Sequence, residues 1–398
     1  MKIANPVASL IGGVSTQTLT MLALASSIVL IEMLSSFQAS SVIEFSIACG
    51  LVLVGATDGT CVIGRAMEFG VFKEDRFAKG ASIDTKFISF PRGSKFSAAS
   101  GSKKDPQANN FSWTAKYGFA GMGHGDFGLK DGVLSEGINE AGLHVAALWF
   151  EDGTYGEPRQ EGKNLPQYQF PAWVLSEFGS VEEAVESISQ VNIYGGFNDE
   201  WHQVFPFHWA ISDKSGNFYV IEHIDGALNI TDARDIRVMT NSPRIEWHKK
   251  NYENFKKDFP RLDAKAKMGE SGLLEGLPGS WTSPDRFMRL AIQRDLSEPL
   301  ESIDTALNQS VHLLNTVDYV TGVPEMLTRG AGRAAQETSW ISIIDPVNMD
   351  YYFRTQDSLN VHKIDLDQID YGEGSKPNVF DIYGGSPYVD VTAKALGQ

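Results

Sequence analysis

Two β-rich runs, residues 50–56 and 61–67, flank the tetrapeptide Thr57-Asp58-Gly59-Thr60. Asp-Gly between such runs marks a two-residue hairpin turn, because glycine accepts a positive φ without steric cost. That turn predicts a register in which Thr57 faces Thr60, Ala56 faces Cys61 and Cys49 faces Glu68. The chain has only two cysteines, Cys49 and Cys61. The register separates them by about seven strand residues, roughly 23 Å, too far for a disulfide, so a free thiol is expected.

What precedes Cys49 gives that thiol a second meaning. The first 48 residues hold one basic residue, Lys2, and an apolar stretch over residues 19–31. Such a stretch is short for a bilayer span and fits the hydrophobic region of a signal peptide. Ser46-Ile47-Ala48 satisfies the small-x-small cleavage rule. The expectation is a signal peptide or propeptide over residues 1–48 and a single domain over 49–398, exported to the periplasm or beyond without a stable membrane anchor. An earlier cut near Ala39 followed by trimming would give the same terminus. A chain beginning with Cys49 carries a thiol nucleophile and an α-amine of pKa about 7.7–8.0 that can serve as its base. The bland alternative is a small buried cysteine.

Composition narrows the partners. The 34 basic and 50 acidic residues give a formal charge of −16, which argues against nucleic acid or an anionic membrane surface. Strand signals at residues 87–90, 117–121, 143–150 and 339–355 alternate with helix signals at 171–191, 284–295 and 301–314. Residues 208–230 read as a hairpin around Asp213-Lys214-Ser215-Gly216-Asn217. Ser180 and Glu183 are spaced as a capping box that breaks the first helix near Gly179. Ser283-Pro284 supplies N-cap and N1 residues for the second, which puts Arg286 at N3. Strands at both ends with helices between them predict an α+β layered domain.

Several motifs carry no chemistry. Gly123-His124-Gly125-Asp126-Phe127-Gly128 satisfies G-x-G-x-x-G but reads as a loop without a following helix. Ser100 and Lys103 satisfy S-x-x-K without the companion motifs of a penicillin-binding enzyme. Asp365, Asp367 and Asp370 lack the glycine of an EF-hand loop, and the eight histidines show no metal-ligand spacing.

Around Cys49 the pattern is ordered. Gly64-Arg65-Ala66-Met67-Glu68 places Arg65 sixteen residues after Cys49, and Glu136-Gly137-Ile138-Asn139-Glu140-Ala141-Gly142-Leu143 follows. Then come Val238-Met239-Thr240-Asn241-Ser242-Pro243 with Glu246-Trp247-His248, Leu277-Pro278-Gly279, and Asp285-Arg286-Phe287. In order and spacing this resembles the choloylglycine hydrolase and penicillin V acylase family of N-terminal-nucleophile amidases.

The resemblance implies the αββα four-layer sandwich of those hydrolases and hydrolysis of a linear, non-peptide amide. Candidate substrates are penicillin V, an acyl homoserine lactone, an N-acyl amino acid or a conjugated bile acid. It implies Cys49 as nucleophile, Arg65 favouring thiolate, Glu68 in place of the family's Asp holding the α-amine, and Asn241 donating to the oxyanion. Arg286 would stabilise charge at the thiol or substrate, and Asn139 and Trp149 would contact substrate. Trp149 stands where bile salt hydrolases carry Asn and many penicillin acylases Tyr, which points to a more apolar or aromatic acyl group. No metal or organic cofactor is implied; a homotetramer is. Physically, the hairpin register conflicts with these roles: it puts Arg65 and Glu68 on opposite faces, so either a bulge intervenes or the register is off by one. Two other readings stay open: an inactive exported binding protein of the same fold, and a serine acylase or β-lactamase using Ser100 and Lys103.

Overall fold

The first hairpin is built on a three-residue loop. In the computed structural model, β1 (Ile47–Gly55) and β2 (Cys61–Gly70) pair antiparallel. Ala56 N donates to Thr60 O at 2.8 Å, and Gly59 N to Ala56 O at 3.0 Å. Gly59 takes φ 90°, so a type I turn is followed by a left-handed glycine, the usual form of a three-residue connection. Asp58 Oδ1 locks the loop by accepting from Thr60 N at 2.9 Å and Thr60 Oγ1 at 2.6 Å. The two-residue turn expected from Asp-Gly is therefore corrected, and every pair shifts by one. Cys49 faces Met67, Glu68 faces Ala48, and Gly55 faces Cys61.

The structure describes residues 47–70, 84–98, 111–198, 203–258, 276–297, 300–323, 325–328, 332–384 and 386–395. The expected leader up to residue 46, and Ser100 and Lys103, lie outside them.

The remaining strands of the two large sheets, in chain order, are β3 (Thr85–Phe90), β4 (Phe119–His124), β5 (Leu134–Asn139), β6 (His144–Trp149), β7 (Phe207–Ser212), β8 (Phe218–Ile224), β9 (Ala227–Asp232), β10 (Val238–Met239), β11 (Glu325–Thr328), β12 (Gly332–Asp345), β13 (Asp350–Thr355), β14 (Ser358–Asp365) and β15 (Asn378–Asp381). One sheet runs β10-β1-β2-β12-β13-β14, with β11 paired to β12; the other runs β9-β8-β7-β6-β5-β4-β3-β15. Both are antiparallel throughout.

The main helices are α1 (Gly125–Asp131), α2 (Phe170–Glu177), α3 (Val181–Ser187), α4 (Ile245–Asp258), α5 (Ser283–Leu296) and α6 (Ile303–Asn315). Phe170, Trp173, Val174 and Leu175 of α2 pack with Val145, Ala147, Trp209 and Ile211 of the second sheet. Helices α5 and α6 cover the first sheet: a Cβ on Gly50 would meet Leu290, and one on Gly64 would come within 3.0 Å of Leu314. The order of layers is helix, sheet, sheet, helix, as the resemblance implies.

Alternation along β1 and β2 decides what each side chain meets. Gly50 and Gly64 face the helices, so Cys49 and Arg65 face the second sheet. Arg65 confirms this by donating to carbonyls of β5 and β6.

The middle of the chain departs from expectation in instructive ways. The helix expected over 171–191 is two helices: Ser180 Oγ accepts from Glu183 N at 3.2 Å, and Val191 begins a short strand. The hairpin at residues 207–224 gains a third strand, β9. Where a loop was expected after Gly123, α1 follows β4 directly. A Cβ on Gly123 or Gly128 would lie 2.6 or 2.5 Å from Ile88 Cδ1, so these glycines let a short helix lie close on the sheet. Thr282, not Ser283, caps α5, which moves Arg286 one position further into the helix and frees the Ser283 hydroxyl for the site.

The loop is directly testable. Gly59→Val should cost about 1–2 kcal/mol, because a β-branched residue resists φ 90°. Urea unfolding measures it, and an unchanged midpoint would contradict the three-residue loop.

Candidate active site

Cys49 lies in β1 with no exposed surface, its side chain in the layer between the sheets. Its sulfur is 3.5 Å from Met67 Sδ and 3.6 Å from Arg65 Nη2. Burial pushes the thiol above its ordinary range, although Arg65, and more weakly Arg286, pull the other way. The resting group in this chain is a thiol. Arg65 does not win the contest for thiolate that the resemblance suggested.

The backbone nitrogen of Cys49 points to a different set of groups. It donates to Asn241 Oδ1 at 2.9 Å, and Arg286 Nη2 donates to the same oxygen at 2.6 Å. Arg286 Nη1 also donates to Cys49 O at 2.6 Å. Asn241 Nδ2 donates to Trp149 O at 2.8 Å, so the orientation of this amide is fixed by donors on one side and an acceptor on the other.

Asn241 is held on its main chain too. Its N–H donates to Ser283 Oγ at 3.0 Å, and His248 Nε2 donates to its carbonyl at 3.0 Å. Burial lowers the pKa of His248 to about 4, so the ring is neutral, and it stacks on Phe287 with centroids 4.5 Å apart. Ser283 and His248 are thus supporting residues whose roles the sequence did not disclose. The signal was present only as spacing: His248 falls seven residues after Asn241, at the start of α4.

Glu68 stands elsewhere than expected. In the observed register it faces Ala48 and points towards α5. Its Oε2 is 3.9 Å from Arg286 Nη1, and its Oε1 accepts from Thr338 Oγ1 at 3.4 Å. A bulge in β12 makes this possible: Thr338 pairs with Glu68 and Trp340 with Met67, so Thr338 joins Glu68 while Trp340 lies under Arg65. Arg286 bridges Glu68 and the main chain of Cys49. Burial raises its pKa to about 8, against the pull of Arg286.

Asn139 is corrected as a substrate contact. Its Nδ2 donates to Leu175 O at 2.9 Å and Phe178 O at 2.7 Å, while Oδ1 accepts from Ala141 N and Leu143 N. Alternation along β5 turns it to the outer helices, where it ties the β5–β6 turn to α2. Trp149 touches the site through its carbonyl. Its indole packs at 6.1 Å from Phe205 and 6.2 Å from Phe207 and is largely buried, and Nε1 has no hydrogen-bond partner. Cys61 sits at the far end of β2 beside Arg237. Among the described residues no three His, Cys, Asp or Glu side chains gather as a metal ligand set.

Two antiparallel sheets packed face to face between helical layers make the N-terminal-nucleophile hydrolase fold. Within it, residues 49–380 match the family model of linear amide C–N hydrolases, choloylglycine hydrolase family, and the chain belongs to that family. It is 30% identical over 334 residues to a bile salt hydrolase/transferase of Clostridium perfringens, spanning 80% of this chain and 93% of that protein. It is 26% identical over 378 residues to penicillin V acylase of Pectobacterium atrosepticum, spanning 85% and 93%. A mutant conjugated bile acid hydrolase from Clostridium perfringens superposes with TM-score 0.68 at 27% identity, covering 86% of this chain and 99% of that one. Penicillin V acylase from Agrobacterium tumefaciens shares the fold, with TM-score 0.65 at 23% identity over 84% and 91% of the two chains. The chain is a linear amide C–N hydrolase.

The raised Glu68 has a thermodynamic signature. A carboxyl with a pKa of about 8 in the fold and an ordinary one when unfolded contributes stability at low pH. That contribution declines as pH rises from about 4.5 towards 8, since the unfolded state ionises first. In full-length protein carrying Cys49→Ala, adding Glu68→Gln should flatten the fall in unfolding free energy between pH 5 and 8. Parallel curves for the two proteins would contradict a buried, protonated Glu68.

Proposed function

We propose that this protein is exported, loses residues 1–48, and hydrolyses N-acyl amines with an aromatic or long apolar acyl group through an N-terminal Cys49. The observation that carries the reading is the division of Cys49 between two sets of partners. Its nitrogen meets Asn241 Oδ1 at 2.9 Å while its sulfur lies 3.6 Å from Arg65 Nη2. The start of the family match on Cys49 supports it.

Once the bond to Ala48 is cut, by signal peptidase or by an autocatalytic step, that nitrogen is an amine of pKa about 7.7–8.0. A buried thiol does not ionise alone, so the amine takes its proton as sulfur attacks the substrate carbonyl. The C–S bond forms, the carbonyl electron pair moves to oxygen, and Asn241 Nδ2 donates to that oxyanion. Collapse expels the substrate amine with the proton held by the α-ammonium. Water then cleaves the thioester by the same exchange. Asn241 would serve both ends, with Oδ1 orienting the amine and Nδ2 the oxyanion. Arg286 would keep Oδ1 in place, and Glu68 would act on the amine through Arg286.

For the acyl group, the Trp149–Phe205–Phe207 cluster adjoins Asn241 through the Trp149 carbonyl. The named relatives act on bile salts and on penicillin V. The aromatic cluster favours a phenoxyacetyl-like group over a glycine-conjugated bile acid.

Intact mass of the exported protein should correspond to a chain starting at Cys49; a stable, fully active form retaining Ala48 would defeat the mechanism. Cys49→Ala should abolish amide hydrolysis and Cys61→Ala should leave most of it. A Cys61→Ala enzyme as dead as Cys49→Ala would misplace the nucleophile.

Trp149→Ala should lower kcat/KM for phenoxyacetyl amides roughly ten- to a hundredfold, with little change for acetyl amides. A uniform loss across acyl groups would make Trp149 a packing residue only.

A further inference from the structure

Arg65 is wholly buried, and among the described residues its guanidinium contacts neutral groups. It donates to the carbonyls of Ser135 and Ala147, lies 3.6 Å from the sulfurs of Cys49 and Met67, and sits 5.4 Å from the Trp340 ring. Among the described residues no carboxylate stands within ion-pair distance of it. A permanent charge in a dry layer costs several kcal/mol unless an opposite charge is near. Glu68 does not supply that charge: it occupies the other face of β2, beside Arg286, and burial keeps its carboxyl protonated at neutral pH.

The second sheet supplies another carboxylate. Glu136 on β5 pairs with Ala146 on β6, and Arg65 grips the carbonyls of Ser135 and Ala147, which stand together at the next register position along the same two strands. The Glu136 side chain is also wholly buried. Tyr351 OH, from β13 of the first sheet, donates to its Oε1, which fixes the carboxyl between the sheets. Its Oε2 has no hydrogen-bond partner and lies 3.8 Å from His144 Nε2, whose ring is held from behind by Ser212 Oγ at 2.9 Å.

We propose that Glu136 is the counter-charge of Arg65, a positioning residue that offsets the guanidinium's field at Cys49 and so adds to burial in keeping the nucleophile a thiol. This rests on the reading of Cys49 as nucleophile. Burial works against ionising Glu136, but His144 and the charge of Arg65 outweigh it and hold the carboxyl below its usual range. Burial lowers His144 and, near Arg65, His124, so both rings are neutral at pH 7. Tyr351 is held far above its usual range, and Ser342 of β12 completes the surroundings of the carboxylate. Arg65 and Glu136 are then the opposed charges of this layer. With Glu136 neutralised, the nearest group able to furnish an anion to Arg65 is Cys49.

The test is the pH dependence of iodoacetamide alkylation at Cys49, read by peptide mapping on processed protein, which needs no substrate. Glu136→Gln keeps an acceptor for Tyr351 and removes the charge; it should lower the alkylation midpoint by about one pH unit. Glu136→Asp keeps the charge and should hold the midpoint close to wild type. An unmoved midpoint in Glu136→Gln, or equal shifts in both variants, overturns the proposal. Should Glu136→Gln fail to fold, Arg65→Met combined with Glu136→Gln should fold and melt higher than the single variant, since both charges leave together. A double variant no more stable than the single one overturns it as well. Wild-type protein that alkylates at Cys61 and not at Cys49 removes the nucleophile itself, and the proposal with it.

Discussion

Side chains alternate along a strand, so one residue of register in the β1–β2 hairpin exchanges everything the two faces meet. The loop closed by Asp58 and Gly59 sets that register. Cys49, Arg65 and Met67 then share the face towards the second sheet, and Glu68 shares the opposite face with Arg286 and α5. Two buried guanidinium groups are thereby kept on different sides of one sheet, Arg286 beside the Glu68 carboxyl and Arg65 on the face towards Glu136. If the loop were one residue shorter, Cys49 would face Glu68 and lose its partnership with Arg65.

The second constraint is the immobilisation of Asn241. In the reaction proposed above this amide meets an amine with one end and an acyl oxygen with the other, so it cannot flip. Ser283, His248, Arg286 and the Trp149 carbonyl hold it from four directions. These partners come from α5, α4 and β6, so helix packing on the first sheet fixes the amide beside Cys49. The cost of burying this amide is offset because its side-chain oxygen and nitrogen and its main-chain N–H and carbonyl are all paired.

The layered α+β fold was legible in the alternation of strand and helix signals, and the grouping of Cys49, Arg65, Asn241 and Arg286 in the ordered motifs; helices α1 and α4 were not. Nor was register. Asp-Gly serves both two-residue and three-residue loops, and only the hydrogen bond from Ala56 N to Thr60 O distinguishes them. Asn139 misled for a similar reason: a motif names a residue, but alternation decides its face, and here the face is the one packed on α2. Ser283 read as a helix cap because Ser-Pro so often is one. In the fold it is the first helical residue, its hydroxyl accepts from Asn241 N, and Thr282 takes the N-cap position without a side-chain capping bond. Glu136 was visible only as part of a motif, since the need for a counter-charge appears once Arg65 is known to be buried.

The central claim is that one residue supplies both nucleophile and base. Acid-quenching the enzyme during turnover of a slow N-acyl substrate, then digesting and weighing its peptides at low pH, tests that claim most directly. The account predicts the acyl group as a thioester on a peptide whose first residue is Cys49, with its α-amine free. An acyl group on any other side chain, or on an active chain in which Ala48 still precedes Cys49, would contradict it.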